Sequence, residues 1–364
     1  MERWSEKKAW EWYDSQPWIR GWCGYPSNCV NWIAMWQEYK HAEVFEQIAR
    51  EFELAKKTGF NAVRTLLSLD VYKEEHDAFM EHVEEYLGLA DSYGIKVTVI
   101  FGNDCCAPKE LCTPPVFGEQ KVDWGYHGGV KRGTHAVIHS NVGYNPYIDE
   151  PENRKLFLKM VDEISAKYAK DPRIQIWNVW NEIGNSRRGM MSVDAMKECF
   201  EIIRSHDPIQ PLTAECWSAV DAEENLTPQE RIALELSDIT SFHCYLNFQD
   251  TVKAIGWLRK LGRPVINTEW LNRIEKNDVD EVFPLFWLER IGSFNWGLIQ
   301  GYSQTYEPWG RYTKAIDDPD YHGDFDFTRL QHDLYRFNGH PYRAKEIKII
   351  KDFSALADKD EEAK

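Results

Sequence analysis

The sequence has no apolar run long enough to cross a bilayer, and its first residues lack the apolar core of a secretory signal. Basic residues are fewer than acidic ones, 43 Lys and Arg against 59 Asp and Glu, so the formal net charge is -16 at pH 7. Nucleic acids and anionic membrane surfaces repel so acidic a chain, and we expect neither as a partner. Low-complexity tracts, fixed-length repeats and an interdomain linker are also missing, which favours a single domain over residues 1–364.

The cysteines show no regular spacing that would indicate a disulfide framework. They are Cys23, Cys29, Cys105, Cys106, Cys112, Cys199, Cys216 and Cys244. Together with the missing export signal, their scatter favours reduced thiols and a cytoplasmic protein. No helix-spaced or loop-spaced pairs of histidine and carboxylate stand out, so we expect no metal and no cofactor.

Aromatic residues, by contrast, are abundant. They make up 14% of the chain and include 16 tryptophans, while the hydrophobic share of 43% is ample for a large core. We expect most of the tryptophans to fill that core. A minority can form stacking platforms, because the apolar face of a sugar ring packs well on an indole ring.

Two apolar segments are each followed or ended by a glutamate. Residues 174–181 are rich in Val, Ile and Trp, which favours a buried strand, and Glu182 follows directly before a Gly/Asn turn. Residues 263–270 form a second such segment, with Glu269 near its end. Water is scarce at the end of a buried strand, and two carboxyls placed there can share acid, base or nucleophile chemistry.

Predicted strands and helices alternate eight times along the chain. The strands are 18–25, 61–67, 96–102, 174–183, 211–217, 238–245, 263–270 and 294–299, and the helices are 42–58, 76–93, 153–170, 193–206, 228–236, 251–261, 279–291 and 328–337. Strict alternation implies a parallel sheet with right-handed crossovers, and eight units imply closure. The prediction is therefore an α/β protein, a single (β/α)8 TIM barrel over about residues 18–340.

Two segments do not belong to this alternation. Residues 103–150 are irregular and rich in Gly, Pro, His and aromatics, which predicts a long active-site loop inserted after strand three. His127, His135 and His139 in this loop are expected at the surface or in contact with hydroxyls rather than on a metal. Residues 341–364 are predicted to form a charged C-terminal tail.

Polar residues gather at the predicted carboxyl ends of the strands, where barrels of this type place their active sites. The set comprises Arg64, Asn181, Glu182, His243, Tyr245, Glu269 and Trp296. Each member has a structural explanation on its own, since an arginine can pair with a buried carboxylate and a strand histidine can be a hydrogen-bonded core residue. The whole set on one rim favours an active site.

This set resembles the retaining glycoside hydrolases of clan A, and within them the family 5 cellulase-like group and proteins labelled 1,4-β-xylanases. The resemblance is carried by Asn-Glu after strand four, Glu on strand seven, Arg on strand two, His-x-Tyr on strand six and Trp on strand eight. Residues 295–309, which end in Trp309, are similar to the last-strand signature of that group. The loop after strand three departs from the cellulase pattern, which argues against an open polysaccharide cleft.

The resemblance implies that Glu182 is the general acid/base and Glu269 the nucleophile of a double displacement. Arg64 and the Tyr245 hydroxyl would orient the nucleophile and stabilise its charge. In a retaining enzyme the two carboxyls stand about 5–5.5 Å apart, against about 6.5–9.5 Å in an inverting one. We predict the shorter separation and retention.

The remaining residues of the resemblance are implied to bind the sugar. Asn181 would bond the 2-hydroxyl, Trp296 would form the floor beneath the ring, and His243 would steady neighbouring polar groups or meet a hydroxyl. Trp309 is assigned to the substrate site with them. Three further carboxylates near predicted strand ends rank second, namely Asp104, Glu215 and Glu307. Glu215 is expected to be either a ligand of a sugar hydroxyl or a structural partner.

Several alternatives stay open at this point. A carbohydrate is the expected partner, and an exo-acting β-glycosidase for short oligosaccharides or glycoconjugates is favoured over an endo-β-1,4-glucanase or xylanase. A metal-dependent barrel isomerase would use Glu182, Glu215, His243 and Glu269, and a glycan-binding barrel without catalysis would use none of them as reacting groups. Neither the sugar nor the oligomeric state has a signature in the sequence.

Overall fold

Eight parallel strands form one sheet in the structure of the chain, a computed structural model that describes residues 2–105, 114–131, 148–218, 220, 222–316, 318 and 325–363. The strands are β1 (Arg20–Cys23), β2 (Ala62–Leu66), β3 (Lys96–Asn103), β4 (Ile174–Asn181), β5 (Leu212–Ala214), β6 (Thr240–His243), β7 (Val265–Trp270) and β8 (Gly292–Trp296). Their order in the sheet is β5-β4-β3-β2-β1-β8-β7-β6.

The two ends of this order, β5 and β6, meet and nearly close the sheet into a barrel. A parallel bridge joins Cys216 to Phe242, and the His243 amide donates to the Cys216 carbonyl over 2.9 Å. Strand and helix alternate around the barrel as the sequence pattern predicts. The predicted (β/α)8 TIM barrel is confirmed.

Helices connect and cover the strands in the described part of the chain. They are α1 (Glu6–Asp14), α2 (Trp32–Trp36), α3 (His41–Thr58), α4 (Leu69–Glu74), α5 (His76–Ser92), α6 (Pro151–Tyr168), α7 (Val193–Ser205), α8 (Pro228–Leu236), α9 (Phe248–Leu258), α10 (Val279–Leu288), α11 (Gly310–Ile316) and α12 (Ala344–Glu362). The first seven predicted barrel helices correspond to α3 and α5–α10. Gly59 ends α3 in the left-handed region, with φ 106°, where a glycine carries no steric penalty.

The eighth predicted helix, 328–337, is wrong, and α12 takes its place within the expected charged tail. Arg273 explains why residues 328–337 form no helix. Its guanidinium donates to the backbone carbonyls of Leu330, His332 and Asp333, which a helix would have used for its own hydrogen bonds. The helix α12 packs on α10 and α3, so it completes the ring of helices around the barrel. Its buried residues are Glu346, Ile347, Ile350, Ser354 and Ala357.

The short helix α1 covers the amino-terminal ends of the strands. The Tyr13 hydroxyl accepts from the Gly292 amide over 2.9 Å and donates to the Arg290 carbonyl over 2.7 Å. The indole of Trp10 donates to the Gly262 carbonyl over 2.8 Å. Tyr13 also packs against strand side chains such as Ile176 and Phe294, so this end of the barrel is filled by apolar groups.

The described part of the loop after β3, residues 114–131, lies against the loop after β8. Gln304 holds it, since its side chain accepts from the Gly125 amide over 2.6 Å and donates to the Asp123 carbonyl over 2.7 Å. The contact is so close that a Cβ on Gly129 would stand 2.3 Å from the Tyr302 carbonyl oxygen. The predictions for His135, His139, Cys106 and Cys112 lie outside the described residues.

The cysteines that the structure describes are all free thiols: Cys23, Cys29, Cys105, Cys199, Cys216 and Cys244. Among the described helices, none combines the length and apolar character needed to span a membrane.

Candidate active site

Glu182 and Glu269 meet at the carboxyl-terminal rim of the barrel, and His243 lies between them. The Nδ1 atom of His243 is 2.9 Å from Glu182 Oε1 and 3.4 Å from Glu269 Oε2. One oxygen of each carboxyl and a ring nitrogen of His243 all lie within 4.8 Å of one another. All three side chains are buried. Two glutamates 87 positions apart in sequence therefore face the same small volume.

The backbone at the end of β4 aims Glu182 into that volume. Glu182 has φ 50°, in the left-handed region that non-glycine residues rarely adopt. The turn after it is held by Asp104, whose carboxylate accepts from the Gly184 amide and from the Ser192 hydroxyl over 2.7 Å. Asn185 in the same turn donates to Glu182 Oε2. Strain of this kind persists only where the surroundings impose it, and it is concentrated at functional sites.

Two strong donors hold the Glu269 carboxylate. Arg64 Nη1 is 2.7 Å from Oε1, and the Tyr245 hydroxyl donates to Oε2 over 2.7 Å. His243 and Glu269 are paired across β6 and β7 next to a register shift, a feature that re-aims side chains at active sites. Burial raises the pKa of Glu269 and the Glu182 carboxylate adds to this, while His243, Arg64 and Tyr245 act in the opposite direction. The net effect is a raised pKa of Glu269, because burial outweighs the groups that stabilise its charge.

Arg64 is the centre of the polar network beneath the two glutamates. Besides Glu269, its guanidinium donates to Asn178 Oδ1 over 2.8 Å, to Glu215 Oε1 over 3.0 Å and to Asn181 Oδ1. Burial by itself lowers the pKa of Arg64, but Glu215 and Glu269 outweigh it and raise the pKa. The arginine is therefore a permanent, fixed positive charge below the two glutamates.

His243 carries the second positive charge. Burial by itself lowers the pKa of the imidazolium, but the carboxylates of Glu269, Glu182 and Glu215 overcome this and raise it to about 9. A charged ring donates from Nδ1 to Glu182. This donor set is unsuited to a divalent cation, because a metal needs neutral imidazole and Arg64 already neutralises the carboxylates.

The predicted sugar-binding residues lie on the same rim at different distances from the pair. Asn181 is the last residue of β4, and its amide also donates to Asn103 Oδ1 over 2.8 Å. Trp296, the last residue of β8, is half-buried and packs on the barrel interior. Trp309 stands edge-on to Tyr245, with ring centroids 5.0 Å apart. The structure thus brings Arg64, Asn181, Glu182, His243, Tyr245 and Glu269 into one network, with Trp309 at its edge.

Of the second-ranked carboxylates, only Glu215 enters this network. Asp104 supports the turn after β4, and Glu307 offers its backbone carbonyl to His127. The residues of the site that were not predicted from the sequence are Asn103, Asn178 and Asn185. Asn178 had a usable signal, since a polar residue in the middle of an apolar strand needs a buried partner.

The family model described as Cellulase (glycosyl hydrolase family 5) matches residues 24–298 of the chain. That span contains Arg64, Asn181, Glu182, His243, Tyr245 and Glu269, whereas Trp309 lies beyond its end. No curated protein matches the chain in sequence.

Solved structures with the same fold include two mannosidases and a mannanase. An exo-β-1,4-mannosidase from Opitutaceae bacterium strain TAV5 is 12% identical with a TM-score of 0.58, over 95% of this chain and 60% of that one. A family 5 mannosidase from Rhizomucor miehei is 13% identical with a TM-score of 0.57, over 94% of this chain and 93% of that one. An endo-β-1,4-mannanase from Thermotoga petrophila is 14% identical with a TM-score of 0.56, over 95% of this chain and 78% of that one. The chain spans 60% of the Opitutaceae protein, and these neighbours do not support the expected similarity to 1,4-β-xylanases.

Proposed function

The chain belongs to glycosyl hydrolase family 5 and is a glycoside hydrolase, and we propose that it is a retaining, exo-acting β-mannosidase for short β-linked oligosaccharides or glycoconjugates. The observation that carries the mechanism is the convergence of Glu182 and Glu269 on the Nδ1 atom of His243, at 2.9 and 3.4 Å. Carboxyls on an inverting enzyme stand about 6.5–9.5 Å apart to leave room for a water, whereas retention requires about 5–5.5 Å. The close approach of the two glutamates supports retention.

In the first step, a Glu269 oxygen attacks the anomeric carbon as the glycosidic bond breaks, and Glu182 gives its proton to the leaving oxygen. Arg64 and Tyr245 hold the Glu269 carboxylate at one orientation for this attack. Asn181 has a second amide hydrogen available for the sugar 2-hydroxyl, since the first is donated to Asn103. In the second step Glu182 removes a proton from water, which displaces Glu269 from the sugar.

The wall beside the nucleophile supports exo action. Trp309 contacts Tyr245 edge-on and donates from its indole nitrogen to His127 Nε2 over 3.2 Å. His127 in turn bonds the Glu307 carbonyl over 2.9 Å, so the loop after β3 and the loop after β8 are joined there. A cleft that binds the middle of a polymer must be open at both ends. An aromatic wall at one side fits a terminal sugar better.

The substrate class is supported by the three neighbours described above, which are two mannosidases and one mannanase. A panel of nitrophenyl β-glycosides tests it, with the β-mannoside expected to be hydrolysed fastest. Time-resolved analysis of β-1,4-mannooligosaccharide digests then separates the modes of action. Release of single mannose units supports exo action, and early mid-chain fragments would instead identify an endo-mannanase. Oligosaccharide binding without any turnover would identify a glycan-binding barrel.

We also propose a cytoplasmic location, where the enzyme meets only small imported substrates. Buried free thiols, which include Cys23 and Cys199, support a reducing compartment. Fractionation of cells that express the full-length gene tests this, and recovery of the protein outside the cytoplasm would contradict it.

A further inference from the structure

A third carboxyl, Glu215, lies beneath the catalytic pair and does not reach the surface. It follows β5 directly, and its relative exposure is 0%. Its Oε1 atom is 3.0 Å from Arg64 Nη2 and 3.8 Å from His243 Nε2. Glu215 therefore faces both cations of the site from the side opposite to the sugar. The reaction derived above does not use it.

His243 is enclosed by acceptors on both of its ring nitrogens. Nδ1 bonds Glu182, and Nε2 points towards Glu215. Among the described residues, neither His243 Nε2 nor Glu215 Oε2 has a hydrogen-bond partner, although both atoms are buried. A buried polar atom without a hydrogen-bond partner lowers the stability of the folded protein. At 3.8 Å, Glu215 Oε1 is too far from His243 Nε2 for a hydrogen bond, but the two groups are close enough to attract each other as an ion pair.

An imidazole with acceptors on both sides is favoured as the cation, because the neutral ring has only one N–H to donate. Charge counting agrees. Glu182, Glu215 and Glu269 face Arg64 and His243, which leaves one uncompensated negative charge, and a proton on Glu182 cancels it. When Glu269 becomes a sugar ester and Glu182 has given up its proton, the cluster is neutral again. Without Glu215 both stages would carry a buried positive charge.

We propose that Glu215 is a positioning residue that acts through its two neighbours: its buried carboxylate aligns Arg64 and keeps His243 charged, so that the cluster is neutral at both stages of the reaction. The proposal rests on the double displacement set out above. In that step the Glu269 oxygen forms its bond to the anomeric carbon, the glycosidic bond breaks, and the leaving oxygen takes the proton of Glu182. In the second step water attacks the anomeric carbon, the bond to Glu269 breaks, and Glu182 takes a proton from that water. No further reactant is needed.

The groups that face His243 support this arrangement. They are the carboxyls of Glu182, Glu215 and Glu269, and Arg64 bonds two of these three. Burial by itself raises the pKa of Glu215, but Arg64 and His243 outweigh it and lower the pKa, so this carboxyl stays ionised. The buried negative charge acts on a ring in a low-dielectric site, where its influence is large.

Two variants test the role of the charge. Glu215→Gln keeps the shape and removes the charge, and Glu215→Asp keeps the charge. We expect the basic limb of the kcat/KM profile to move to lower pH by about one unit in Glu215→Gln, because losing a nearby negative charge makes every proton of the cluster easier to remove. Glu215→Asp should keep the wild-type position of that limb even if its kcat is lower. A Glu215→Gln profile superimposable on the wild type in pH would overturn the proposal.

A measurement on the wild-type enzyme keeps the proposal testable if the variants fold poorly. Nitrogen NMR of the His243 ring at pH 7.5 should show both nitrogens protonated. A neutral ring would overturn the proposal. A protonated ring in an enzyme that hydrolyses no β-glycoside would contradict the proposed function while supporting the charge pairing.

Discussion

Arg64 Nη1 and Glu269 Oε1 are 2.7 Å apart, although 205 positions separate the two residues in the sequence. The contact spans the barrel from β2 to β7 and is possible only because the sheet closes. It fixes the Glu269 carboxylate at the rim with its charge already stabilised, which is the condition for attack without reorganisation.

The two glutamates should respond differently to removal. Glu269→Ala should lower kcat by at least about 10⁴-fold, since no side chain is left to form the covalent intermediate. Glu182→Ala should still cleave activated aryl glycosides, whose leaving group needs no proton, and azide should restore its turnover. Glu281→Ala, an exposed glutamate on α10, serves as the control and should match the wild type. Full activity of both active-site variants would mean that the pair is misassigned.

His243 should stabilise the fold in a pH-dependent way. Its pKa is about 9 in the folded protein against 6.5 for a free histidine. A raised pKa gives stability that is fully present below pH 6.5 and is lost as the pH rises through about 9. Urea unfolding of the wild type and of His243→Asn at pH 6 and pH 10 checks this. The difference in unfolding free energy should shrink at the higher pH, and a constant difference would count against a charged His243.

The helix α12 should be essential to the barrel rather than dispensable. Glu346 on α12 bonds Arg273 through two contacts of 3.0 and 2.7 Å, and both side chains are fully buried. Glu346→Ala leaves the buried Arg273 guanidinium without its only carboxylate partner among the described residues and should cost about 3–5 kcal/mol of unfolding free energy. Lys348→Ala on the same helix breaks only an exposed pair with Asp352 and should cost about 0.5 kcal/mol. Similar denaturation midpoints for the two variants would contradict this role.

The aromatic wall should govern substrate binding more than bond cleavage. His127→Ala removes the acceptor of the Trp309 indole, and a hydrogen bond of about 1 kcal/mol corresponds to roughly a fivefold rise in KM for a mannooligosaccharide. The value of kcat on a small aryl glycoside should change little. Val116→Ala, at an exposed position of the same loop, is the control. A loss confined to kcat would show that the wall acts on the chemistry instead.

The sequence predicted most of the barrel because its strands are short apolar runs and most of its helices carry a clear apolar face. The prediction of the eighth helix was wrong because tertiary contacts override the local pattern there. Residues 328–337 have helical spacing, yet Arg273 takes their carbonyls, and Asp333 adopts φ 61°. In α12 only a narrow stripe, which includes Ile347 and Ile350, is buried among charged residues, so its sequence looks like a solvated tail.

At the active site, too, the sequence predicted the positions of residues but not their tertiary contacts. Residues at strand ends can be found from the sequence, because the barrel places all strand ends on one rim. The sequence does not show which of these residues contact one another. Those contacts depend on the register shifts of β6 and β7 and on the left-handed backbone of Glu182. Glu215 shows the limit most clearly. Its position near the end of strand five predicted a ligand of a sugar hydroxyl or a structural partner, but its approach to His243 is visible only in three dimensions.

The central claim is that Glu269 attacks the anomeric carbon while Glu182 serves as acid and base. Covalent trapping tests it most directly: a 2-deoxy-2-fluoro β-mannoside with a good leaving group slows the second step, and peptide mass spectrometry locates the sugar. We expect one sugar per chain, attached to the peptide that carries Glu269. An ester on Glu182 or Glu215, or turnover that yields the inverted α-anomer without any trapped species, would contradict the account.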